Sequence, residues 1–262
     1  MTFANVNDII LHYKWIDTGR EKTLVFINSL GTDFIIWDEV VERLEEHGNI
    51  LLFDKRGHGL SDVATSENGL EDYTGDLWQL LLHLEIEKCI PVGLSVGGII
   101  AQLLTYRHPE VVEKLVLCDT RHKIGFPELW NNRIQQIKEQ GLKSISEDLM
   151  KRWFAPPFHH SSPAVVQGCR NMVERCDPAG YVQTCEGIRD ADTTEAAKRI
   201  RQKTLCIVGS EDKSTTPEEV KALADLIEGS RFETIEGSGH IPCVDNPERL
   251  SKLIIDFINE EA

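Results

Sequence analysis

Ser95 lies at the centre of Gly93-Leu94-Ser95-Val96-Gly97-Gly98, between the apolar run Cys89-Ile90-Pro91-Val92 and the helix-like stretch Ile99-Ile100-Ala101-Gln102-Leu103-Leu104. A serine set where a strand turns sharply into a helix takes up a crowded φ/ψ combination, which small residues two before and two after relieve. The helix start adds a positive dipole beside the hydroxyl. The chemistry that suits this layout is attack by Oγ on a carbonyl, that is, hydrolysis through an acyl intermediate.

A serine hydroxyl is a poor nucleophile at neutral pH, so it needs a base within hydrogen-bond reach and a third group to orient that base. His240, in Gly237-Ser238-Gly239-His240-Ile241-Pro242, follows the last strand-like run, and Asp212, in Gly209-Ser210-Glu211-Asp212, follows the one before it. Glu211 is an alternative acid with a longer side chain and a one-residue offset, and Asp119, after an earlier strand, is another. Taken singly, Asp212 could cap its turn and His240 could be a hydrogen-bonded loop histidine; their joint placement with Ser95 carries the reading. A tetrahedral intermediate also needs oxyanion donors. The backbone N–H groups of Val96, directly after the nucleophile, and of Leu30, in the strand-end turn Asn28-Ser29-Leu30-Gly31, are the candidates.

These residues need elements to hold them. Strand-length apolar runs cover Ile9 to Trp15, Thr23 to Asn28, Ile50 to Asp54, Cys89 to Gly93, Lys114 to Asp119, Thr204 to Gly209 and Arg231 to Glu236. From Thr23 onward most are continuously apolar, as in parallel strands buried on both faces. Helical periodicity links Trp37, Val40, Val41 and Leu44, then Tyr73, Leu77, Leu80, Leu81 and Leu84, then Val220, Leu223, Ala224 and Ile227. Thr216-Pro217-Glu218 and Asn246-Pro247-Glu248 predict two capped helix starts. Between Arg121 and Arg199 the pattern is helical only, around Pro127 to Gln140, Ser144 to Phe154, Pro163 to Arg175 and Ala179 to Asp190. The organisation expected is one α/β core from residues 1–120 and 197–262, with a helical cap, residues 121–196, over the carboxyl ends of the strands.

Composition narrows the function classes. A net charge of −15, from 43 acidic against 28 basic residues, disfavours nucleic acid and anionic membrane as partners, and an anionic substrate would need local basic groups. Seven cysteines without a C-x-x-C pair read as free buried thiols in a reducing compartment, and the first residues lack a signal-peptide pattern, so the cytoplasm is expected. No cofactor is expected: Gly57-x-Gly59 lacks the third glycine of a dinucleotide fingerprint. No metal site is expected either, since His159-His160 are adjacent and would point apart as a solvated pair. Asp54-Lys55-Arg56-Gly57-His58-Gly59-Leu60-Ser61-Asp62 reads as a structural turn, with a buried charge network available from Asp54, Arg56 and Asp62.

Through Asp54 to Asp62, the Ser95 elbow, Asp212 and His240, the chain resembles the α/β-hydrolases over nearly its whole length. Through Asn28-Ser29-Leu30-Gly31, Arg152-Trp153-Phe154, Asp177-Pro178-Ala179-Gly180-Tyr181 and Gly237 to Ile241, it is more narrowly similar to 3-oxoadipate enol-lactonases. The resemblance implies an α/β-hydrolase fold: a mostly parallel sheet with helices on both faces and a helical cap inserted after a late strand. It also implies a Ser95, Asp212, His240 triad and, as partner, a small anionic lactone. Arg133 is the first choice for the substrate carboxylate, Trp153 a candidate wall of the pocket, and Lys123, Lys151 and Arg189 the spare cations. A carboxylesterase, a C–C bond hydrolase, a cofactor-free haloperoxidase or a ligand receptor with little turnover on the same scaffold remain alternatives, and a homo-oligomer is left open.

Overall fold

The computed structural model describes residues 1–65 and 69–260. Its eight strands are β1 (Thr2–Val6), β2 (Ile9–Ile16), β3 (Thr23–Ile27), β4 (Asn49–Phe53), β5 (Ile90–Leu94), β6 (Lys114–Cys118), β7 (Lys203–Gly209) and β8 (Arg231–Ile235). They form one sheet in the order β1-β2-β4-β3-β5-β6-β7-β8, antiparallel at β1, β2 and β4 and parallel from β4 onward. Every residue of β3, β5 and β6 is buried, which is why their sequences are apolar without alternation.

The helices are α1 (Asp38–Leu44), α2 (Leu70–His83), α3 (Val96–Arg107), α4 (Pro127–Gln140), α5 (Lys143–Trp153), α6 (Pro156–Ser161), α7 (Pro163–Arg175), α8 (Pro178–Asp190), α9 (Thr194–Ala197), α10 (Pro217–Leu226), α11 (Pro242–Asp245) and α12 (Pro247–Ile258). From β3 the chain steps through α1 to β4 in one direction, and from β4 through α2 to β5 in the other. Right-handed crossovers therefore put α1 and α2 on opposite faces. Packing agrees: α1 lies against α12, whereas α2 lies against α3, α3 against α9, and α9 against α10. The reversal of direction falls between β3 and β5, the crevice where open α/β sheets bind ligands.

Helices α4 to α9 all fall between β6 and β7, and α4 packs on both α5 and α8. One seam joins this helical segment to the sheet at backbone level. A Cβ on Gly57, whose φ is +73°, would come 2.6 Å from the Cα of Gly180, so only glycine lets the α8 backbone approach that turn. The Tyr73 hydroxyl shares a 2.7 Å hydrogen bond with Thr184 Oγ1, and Gln183 Nε2 donates to the Ala64 carbonyl at 2.9 Å.

Some expectations are corrected. Strand β1, helices α6, α9 and α11, and a single 3-10 turn at Phe34–Trp37 add to the predicted elements. Asn7 and Asp8, with φ of 50° and 60°, form the two-residue turn that pairs Val6 with Ile9 across the β1–β2 hairpin. At α12 the Asn246 side chain makes no capping hydrogen bond, whereas at α10 the Glu219 carboxylate accepts the Thr216 N–H at 3.0 Å. Arg56 pairs with Asp76 of α2 through two 2.6 Å bonds rather than with Asp54 or Asp62. Asp54 instead holds His12 Nδ1 at 2.8 Å, and Asp62 is exposed. His159 is half-buried, with Nε2 3.1 Å from the Met150 carbonyl oxygen, so only His160 of that pair is solvated.

Candidate active site

Strand register brings the chemistry to one edge. Leu94 pairs with Cys118 and Cys118 with Ile207, so Ser95, Asp119 and the turn after Gly209 emerge side by side. Ser95 has φ 57° and ψ −118°, a left-handed conformation rare for a residue with a side chain. The turn is braced: Ser95 N–H donates to the Cys118 carbonyl at 3.0 Å, and Thr120 Oγ1 donates to the Ser95 carbonyl at 2.6 Å. A Cβ on Gly97 would collide with the Ile27 carbonyl oxygen, which accounts for the glycine two residues past the serine.

His240 Nδ1 lies 2.8 Å from Asp212 Oδ2, and both residues are buried. Asp212 Oδ2 also accepts Thr215 Oγ1 at 2.7 Å, while Oδ1 accepts the N–H groups of Ser214 at 2.7 Å and Thr215 at 3.1 Å. Burial opposes ionisation of Asp212, yet His240 and these donors hold its carboxyl below the usual range. The adjacent acid, Glu211, is exposed and makes no hydrogen bond to His240 among the described residues. Ser95 and His240 line one cavity of about 60 Å³, and no hydrogen bond joins their side chains.

The N–H groups of Leu30 and Val96 have no protein acceptor among the described residues, whereas the next amide in the loop, Gly31 N–H, donates to His58 Nε2 at 2.9 Å. From behind, Lys55 Nζ donates to the Ser29 carbonyl at 2.6 Å, and Asn28 Nδ2 donates to the Thr32 carbonyl. Burial pushes the Lys55 amine down to about 7, against the pull of nearby Cys176, Asp54 and Asp33, and burial with Lys55 keeps His58 well below the ordinary histidine value. Two free amides thus remain on a loop fixed by its own carbonyls.

Arg133 and Trp153 line the same cavity as Ser95, joined by Trp130, Arg152 and Tyr181. The Arg133 guanidinium lies 4.9 Å over the Trp130 ring, whose Nε1 donates to the Ile124 carbonyl at 2.7 Å. Neither Arg133 nor Arg152 has an ion-pair partner among the described residues. The spare cations are elsewhere: Lys123 pairs with Asp192, Lys151 with Glu147, and Arg189 with Asp190. Tyr181, not singled out as a site residue from sequence, is fully buried with its hydroxyl beside Arg133, whose charge works against the upward push of burial on the phenol. Its position in Asp177-Pro178-Ala179-Gly180-Tyr181, capped by Asp177 on the N–H groups of Ala179 and Gly180, was the available signal.

A second cavity of about 560 Å³, lined among others by His12, Asp33, Phe34, Leu60 and Met172, shares no residue with the first and holds neither Ser95 nor His240. Size does not decide here; the converging groups do. Among the described residues one cluster has metal-ligand character, namely Asp119, Asp212 and His240, with donor atoms within 4.8 Å of one another. Both Asp212 oxygens already accept hydrogen bonds, one of them shared with His240, which is the arrangement an acid–base relay requires.

A serine on a strained elbow, an acid-backed histidine and two free amides under helices inserted after β6 describe a serine-hydrolase scaffold. The chain belongs to the alpha/beta hydrolase fold family, whose model matches residues 22–247. It is similar to 3-oxoadipate enol-lactonase 2 of Acinetobacter baylyi, 30% identical over 247 residues that cover 94% of this chain and 92% of that one. The crystal structure of the enol-lactonase from Burkholderia xenovorans superposes with a TM-score of 0.96 at 32% identity, covering 99% of this chain and 100% of that one. A thermophilic esterase from Thermogutta terrifontis, solved with malate bound, gives 0.92 at 27% identity over 98% of this chain and 97% of that one. No helix among the described residues is long and apolar enough to cross a membrane.

Proposed function

We propose that this ester or lactone hydrolase opens 3-oxoadipate enol-lactone to 3-oxoadipate, a step of aromatic-compound catabolism in the β-ketoadipate pathway, in the cytoplasm. The observation that carries the substrate class is the pair of guanidiniums without carboxylate partners, Arg133 and Arg152, on the cavity that holds Ser95 and His240, in a protein of net charge −15. Unpaired cations at a reacting centre suit a substrate that brings its own carboxylate. The likeness to enol-lactonases supports the same choice.

In this reading His240 takes the Ser95 proton as Oγ attacks the ring carbonyl, and the Leu30 and Val96 amides hold the oxyanion. Collapse of the tetrahedral intermediate breaks the ring C–O bond. The enol oxygen leaves, takes a proton from His240 and tautomerises to the ketone. His240 then activates water against the acyl-enzyme, regenerating Ser95, while Asp212 stabilises each transient imidazolium. Trp153 and Trp130 wall the ring. The test is turnover of the enol-lactone, followed by loss of its ultraviolet absorbance, against turnover of the neutral p-nitrophenyl acetate. A strong preference for the anion is expected; equal kcat/KM for both would make the protein a general carboxylesterase.

A further inference from the structure

Asp119 follows β6, is wholly buried and has φ 46°. Its N–H donates to the Ile207 carbonyl at 2.8 Å and its Oδ1 accepts the Gly209 N–H at 2.9 Å, so its carboxyl is held in place. Its Oδ2 is buried and, among the described residues, has no partner that donates to it. Asp119 and Asp212 each bring a carboxylate oxygen within 4.8 Å of the other and of His240. The titratable groups facing Asp119 are Asp212, Asp245, His240 and the thiols of Cys118 and Cys243, with no lysine or arginine among them. Two ionised carboxylates so close in a dry site repel strongly, and a shared proton removes the repulsion.

We propose that Asp119 is a protonated positioning residue which donates from Oδ2 toward Asp212, so that the proposed triad is oriented by an acid–carboxylate pair rather than by a lone aspartate. The orphaned oxygen becomes a donor, and Asp212, whose other contacts come from Thr215, Ser214 and His240, is gripped from the sheet side as well. Burial and the Asp212 charge both raise the Asp119 carboxyl well above the ordinary range. Asp245, pushed up to about 6 by burial, accepts from Ser238 and Gly239.

This inference rests on the hydrolase reading, and its test separates the two. Asp119→Asn keeps an acceptor for Gly209, supplies an amide donor for Asp212 and tolerates positive φ, so it mimics the protonated side chain. The measurements are the infrared carbonyl stretch of a protonated carboxyl at pH 7.5 and the pH profile of kcat/KM for p-nitrophenyl acetate. The wild type is expected to show the band and D119N to lack it, with kcat/KM within about twofold of wild type and the acid limb unmoved. Asp119→Ala, which removes the donor, is expected to lower kcat about tenfold or more at unchanged KM and to move the acid limb upward as Asp212 regains its full charge. If the wild type shows no such band and D119N shifts the acid limb downward, Asp119 is ionised and the proposal fails. D119A matching wild type in rate and profile would also overturn it. The band needs no turnover, so a wild type that shows it but hydrolyses neither p-nitrophenyl acetate nor the enol-lactone removes the functional reading while leaving the carboxyl pair in place.

Discussion

The strand-end rim and the helical cap contribute to the same cavity by different means. On the rim, Ser95, Asp119 and Glu211 are each tied by a backbone bond to a neighbouring strand end or loop, at 3.0, 2.8 and 2.9 Å. On the cap, Arg133, Arg152 and Trp153 come from α4 and α5, whose positions depend on helix packing and a few seams to the sheet. The rim sets geometry through the backbone and resists change. In the proposed reading the cap sets selectivity through side chains, and it meets the chemistry where α5 touches the His240 backbone.

Breaking the rim has the largest expected effect. Ser95→Ala should lower hydrolysis about 10⁴-fold or more with an unchanged circular-dichroism spectrum, and substantial residual turnover would remove Ser95 as nucleophile. On the cap, Arg133→Ala should raise KM for the anionic lactone about ten- to a hundredfold while leaving p-nitrophenyl acetate kinetics nearly unchanged; an equal effect on both would show that Arg133 supports packing instead. The seam between the two regions is tested by Gly57→Ala. The added Cβ would meet Gly180 and sit at φ +73°, so a loss of about 1–3 kcal/mol in urea denaturation is expected, with weaker lactone binding as the cap is displaced.

The smallest effect concerns pH. Burial lowers Lys55 from 10.5 to about 7, so between those values the unfolded chain holds a proton that the native state has released. Stability from this group therefore rises with pH across the window and is lost as pH falls toward about 7. Lys55→Met should flatten that rise, read as a smaller gain in urea midpoint between about pH 7 and pH 9 than in wild type. An identical gain in both proteins would mean that Lys55 titrates normally.

How much could be read from sequence follows the same division. Strands β3 to β7 announced themselves as apolar runs because both faces are covered, and the ends of β5 and β7 pointed to Ser95 and Asp212, whereas His240 follows the half-exposed edge strand β8. Strand β1 was missed because its alternate residues face solvent and it is only Thr2–Val6, although the Asn7-Asp8 turn signal was present. In the cap the helices were legible from their period, but ion pairing was not. Nothing in the one-dimensional pattern says that Lys123, Lys151 and Arg189 find carboxylates while Arg133 and Arg152 do not. Arg56 shows the same limit, since Asp76 reaches it only once α2 has docked. Asp119 was visible only as a spare acid, because its closeness to Asp212 arises from the β6–β7 pairing rather than from spacing along the chain.

One backbone contact joins the two regions at the site itself. The His240 N–H donates to the carbonyl of Trp153, the last residue of α5, at 2.7 Å. The imidazole's own peptide thus hangs from the roof of the pocket, and a lid transplanted from another relative would inherit an obligation. Unless it presents a carbonyl at that point, the newcomer would acquire a different appetite and a misaimed proton acceptor together.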